Sequence, residues 1–68
     1  MNREQVIVEL NEARRLWSSR TTITPELMLR IIRGLALVLF RAPDDMVYMV
    51  RAHIMEAERR LFYLEVGK

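Results

Sequence analysis

From Val6 onward the apolar residues recur at steps of four, three and four: Val6, Leu10, Ala13, Trp17. That is the period of one helix face, and it predicts an amphipathic helix over about 2–19. Asn2 stands where a cap belongs, Gln5 completes the spacing of a capping box, and Glu12 and Arg15 are three apart on the polar side. The polar cluster Ser18, Ser19, Arg20, Thr21, Thr22 breaks the period and reads as a loop.

The stretch Ile23-Thr24-Pro25-Glu26 is a helix start: Thr24 as N-cap, Pro25 at the first helical position, Glu26 at the positive end of the dipole. Ile23 and Met28 have the spacing of a hydrophobic staple. This second helix is expected over 25–41, ending there because Ala42 precedes Pro43 and is pushed out of helical geometry. Wound at 100° per residue, it collects Glu26, Arg30, Arg33 and Arg41 in one strip, with Gly34 and Leu37 beside it. Leu27, Met28, Leu29, Ile31, Ile32, Leu35, Val38, Leu39 and Phe40 cover most of the rest. A helix apolar nearly all round is normally a buried one, and two other helices can shield only two of its sides.

Pro43-Asp44-Asp45 opens a third helix with two carboxylates in its first turn, and the pattern then runs unbroken to Val66, with Gly67 as the stop. A helix over 44–66 spans roughly 33 Å and outreaches the other two. It carries two seams. Val47, Val50, Ile54, Ala57, Leu61 and Leu64 are assigned to the core of the chain. Tyr48, Ala52, Met55, Arg59, Phe62 and Val66 form a second stripe centred roughly 150° away. Polar residues fill the two sides between them: His53, Glu56 and Arg60 on one, Arg51, Glu58 and Glu65 on the other.

The fold class is therefore all-α: a single domain, 1–68, of three helices. At 68 residues such a domain buries only about 60% of its unfolded surface, yet 51% of its residues are hydrophobic. The surplus predicts a helical homodimer, intertwined or side by side. The second seam is rich in aromatic, Met and Arg side chains, the types enriched in interface cores, and Tyr48, Ala52, Met55, Arg59, Phe62 and Val66, with Arg51 and Tyr63 at the rim, are its expected contacts. If that seam closes the dimer, a further partner must use another surface, the Arg30/Arg33/Arg41 strip being the next candidate; the sequence leaves this assignment open.

Charge changes little. The +2 net charge comes from ten arginines and one lysine against nine carboxylates. Residues 1–20 carry +1, 21–42 carry +2 and 43–68 carry −1, so no segment gathers a basic footprint for nucleic acid. A recognition helix reads bases from its N-terminal turn, where these helices offer Asp44 and Asp45 or Pro25 and Glu26. DNA binding by a small helix-turn-helix dimer is thus the second reading. Arginine codons are GC-rich and lysine codons AT-rich, so the ratio of ten arginines to one lysine points to a GC-rich bacterium or one of its phages.

Catalysis has little to stand on. The two glycines lie far apart, so no glycine-rich phosphate loop exists, and no Ser or Thr sits in a nucleophile context. His53 and Glu56, three apart on one face, read as a surface pair; no metal or cofactor site is expected. With no cysteine, no signal-peptide pattern in MNREQVIVEL and a Leu27–Phe40 run of only about 14 residues, interrupted by Arg30 and Arg33, the expected location is the cytoplasm. The expected function is protein binding by an adaptor, anti-activator or inhibitor.

Overall fold

The computed structural model describes residues 1–18 and 23–67. These form three α-helices, α1 (Arg3–Ser18), α2 (Pro25–Arg41) and α3 (Val47–Val66), with a 3₁₀ turn, Asp44–Met46, before the last. No strand occurs among the described residues. Most of the polar loop expected between the first two helices, 19–22, lies outside them.

Local chemistry sets the helix starts. The Asn2 side chain accepts a hydrogen bond from the Gln5 amide at 2.8 Å, and Gln5 Oε1 accepts one from the Asn2 amide at 2.9 Å, so the capping box forms in full. Thr24 Oγ1 accepts from the Leu27 amide at 3.1 Å, with Pro25 in the first turn. Ala42, with ψ 147°, leaves helical geometry before Pro43 as the ring demands.

The start of the third helix is a correction. The carboxylates of Asp44 and Asp45 fall in the 3₁₀ turn, where neither caps an amide, and α3 begins three residues later than the sequence predicts. Asp45 instead pairs with Arg3, which ties the start of α1 to the start of α3. At 20 residues α3 is only modestly longer than the 17 of α2. Gly67 does not adopt the left-handed cap: its φ is −73°, and its amide donates to the Tyr63 carbonyl at 2.9 Å.

The core is one seam from each helix. Val6, Leu10, Ala13 and Trp17 of α1 are buried against Met28, Ile31, Leu35 and Val38 of α2 and Val50 and Ala57 of α3, and Met46 of the 3₁₀ turn completes the cluster. All four apolar residues of the predicted α1 stripe are buried. On α3, Ile54, Leu61 and Leu64 of the predicted core stripe are half-buried against the core, whereas Val47, assigned to the same stripe, is half-buried but not packed on it. The protein measures 38 × 18 × 14 Å with a radius of gyration of 12.0 Å, against about 11 Å for a compact chain of this length.

Candidate interaction surface

The helix periodicity that buries Val50 and Ala57 turns the second stripe of α3 to the outside. Tyr48, Ala52, Met55, Arg59, Phe62 and Val66 are all exposed, Tyr48 at 86% and Met55 at 65%. Arg51 and Tyr63 are exposed at the rim, and the Phe62 and Tyr63 rings meet edge to face with centroids 5.9 Å apart. The structure thus brings every expected contact residue of this seam onto one continuous face.

Tyr48, Arg51, Met55, Glu56 and Arg59 also line a trough along that face, together with Asp44 of the turn before it. Every lining residue belongs to α3 or the 3₁₀ turn. The trough therefore has one wall, whereas small-molecule sites are concave and bury most of their ligand.

The opposite flank of α3 departs from expectation. His53 and Glu56 do not pair. His53 Nδ1 donates to the Met49 carbonyl at 2.9 Å, and the ring lies against Trp17 with centroids 6.2 Å apart. Glu56 accepts from Arg60 Nε at 3.3 Å, and the Arg60 guanidinium stands 5.8 Å from the Trp17 ring centroid. The flank is a structural contact with α1: an i,i+4 Glu–Arg pair has the better helical geometry, and the indole face draws the cation.

On α2, Arg30, Arg33 and Arg41 are exposed, as is Gly34. Gly34 borders the groove between α1 and α2, whose floor is Ala13, Ile31, Leu35 and Val38 and whose rim carries Glu9, Glu12 and Arg30. Glu12 is bonded to Arg15, whose guanidinium holds that carboxyl below the usual carboxylate range. The groove encloses about 210 Å³, below the size of typical ligand pockets. Close packing within the subunit does not explain Gly34, because a Cβ built there meets nothing within 4 Å. Gly34→Ala is accordingly expected to stabilise the fold by about 1 kcal/mol, read as a higher denaturant midpoint at unchanged slope.

A second apolar edge escaped the sequence reading. Leu29, Ala36 and Phe40 lie on the side of α2 turned away from the α1 groove, and Phe40 is 89% exposed. Their spacing, seven and four, was present in the chain, but the surrounding apolar residues masked it as part of a buried helix.

Compared with known proteins, the chain matches no family model, no curated protein and no solved structure. Among the described residues no group of three or more His, Asp or Glu stands close enough to hold a metal ion, and no helix is long and apolar enough to cross a membrane.

Proposed function

We propose that this protein is a binding protein rather than an enzyme: a small helical adaptor, anti-activator or inhibitor that self-associates and occupies helical surface on another protein. The single observation that carries the reading is the α3 face, where Tyr48, Met55, Phe62 and Val66 stand exposed on one line while the other side of the same helix is the core. Scattered apolar residues on a surface are ordinary; a continuous line over the length of a helix is the form of a docking surface.

Two further features support it. The potential acid–base pair is absent, since His53 and Glu56 are each engaged with other groups. The trough on α3 lacks the second wall that a substrate site needs.

The test uses the immobilised protein and a cell lysate washed at 1 M salt, roughly the concentration that contracts electrostatic range to 3 Å. A protein retained through that wash and lost with Phe62→Glu is the expected result. Tight, steeply salt-dependent binding to random duplex DNA, with no retained protein, would replace this reading by a DNA-binding one.

A further inference from the structure

Building on the reading of the α3 seam as a protein-binding surface, we infer that its occupant is a second copy of this chain, the two α3 helices packing antiparallel across a two-fold axis.

Area is the first argument. The protein exposes 5356 Å². A compact monomer of 8.1 kDa exposes about 4,500 Å², which leaves an excess of roughly 850 Å². A standard interface removes about 800 Å² from each partner. The surplus is what one such contact would hide.

Shape is the second. Residues 48, 52, 55, 59, 62 and 66 alternate steps of four and three, the spacing of a coiled-coil seam. One antiparallel register sets Tyr48 against the partner's Val66, Ala52 against the partner's Phe62, and Met55 against the aliphatic stem of the partner's Arg59. Each bulky side chain then faces a smaller or slimmer one, the alternation that fills the space between two helices. In a parallel pair each residue meets its own copy. Arg59 would then face Arg59 in the seam, and Ala52 would leave a gap opposite Ala52.

Charge is the third. The same antiparallel register brings Arg51 beside the partner's Glu65, twice by symmetry. Near the axis the two Glu58 carboxylates approach each other, but the partner's Arg59 lies next to each of them. Glu56, also near the axis, is already held by Arg60. The α2 edge offers no such match. Leu29, Ala36 and Phe40 are flanked by Arg30, Arg33 and Arg41 with one carboxylate, Glu26, so two copies of that edge repel. Self-pairing therefore belongs to α3 rather than to the α2 edge.

The experiment is a charge exchange followed by sedimentation at low salt. Arg51→Glu and Glu65→Arg each turn two attractive pairs into two repulsive ones, and each is expected to weaken self-association about ten-fold. Mixed together, the two variants restore both pairs in a heterodimer and are expected to associate at least as tightly as the unmodified chain. Arg51→Glu places an acid nearer the start of α3 and Glu65→Arg a base nearer its end, both favoured by the helix dipole, so weakened association cannot be charged to a weakened helix. Single variants that associate like the unmodified chain, or a mixture no tighter than its components, overturn the register. An unmodified chain that stays monomeric at millimolar concentration overturns the second copy as occupant. The wider reading has a separate readout: retention of a different protein by the unmodified chain through the high-salt wash, whatever the register of the α3 pair.

Discussion

Trp17→Ala is expected to leave the chain at the edge of unfolding at room temperature, with a substantial unfolded fraction. The indole is 5% exposed and closes the far end of the α1 seam, against the His53 ring and beneath the Arg60 guanidinium. Truncating a buried Trp to Ala costs about 3–5 kcal/mol. A domain with so thin a core holds only about 5 kcal/mol in all. Far-ultraviolet circular dichroism should show lost helicity without denaturant. Trp17→Phe keeps most of the apolar volume and should give a folded chain with an earlier urea midpoint. A Trp17→Ala variant as stable as the parent would mean that α1 is not part of the cooperative unit.

The second large effect is on assembly rather than folding. Met55→Glu together with Phe62→Glu should abolish self-association while leaving the three-helix fold of the subunit intact. Both positions are more than 60% exposed in the single subunit, so the fold does not depend on them, and Glu is a good helix former. Across a two-fold axis the double variant removes four apolar side chains from the contact, each contributing about 1.5 kcal/mol or more when buried. That is on the order of 6 kcal/mol, or about four decades in the dissociation constant, before any cost of burying carboxylates is counted. Sedimentation velocity at the concentration where the parent is dimeric should show a monomer. An unchanged mass would remove the α3 seam from the account.

Where local rules were enough, the sequence was legible. The α1 core residues follow from period alone, and Thr24-Pro25 marks the start of α2 because capping chemistry depends on a few adjacent residues. The exposed α3 seam was legible for the same reason: once Val50 and Ala57 face inward, helix geometry sends Tyr48, Met55 and Phe62 out. What escaped is non-local or competitive. Asp44 and Asp45 suit a first α-helical turn and a 3₁₀ turn equally; the pairing of Asp45 with Arg3, 42 residues away, is beyond any local pattern. Met46 is buried in the core, one step of four before Val50, but it sits in the 3₁₀ turn rather than in the helix whose period carries the stripe. The His53–Glu56 pair lost to Arg60, which offers Glu56 the better spacing and lies over an indole that only the packing of α1 on α3 brings near.

The uneven support of α3 along its length has a consequence for its order. Beyond Ala57 no residue of the helix is fully buried: Leu61 and Leu64 are half-covered, and Phe62, Tyr63 and Val66 face water. Segments with so few buried contacts open with the smallest free energies, and their amide protons trade with solvent first. In a dilute sample the final two turns should therefore exchange deuterium well ahead of the Val50 region. If α3 pairs with a second copy as proposed, that exchange slows as the sample is concentrated, and how firmly the tail is wound becomes a matter of dose.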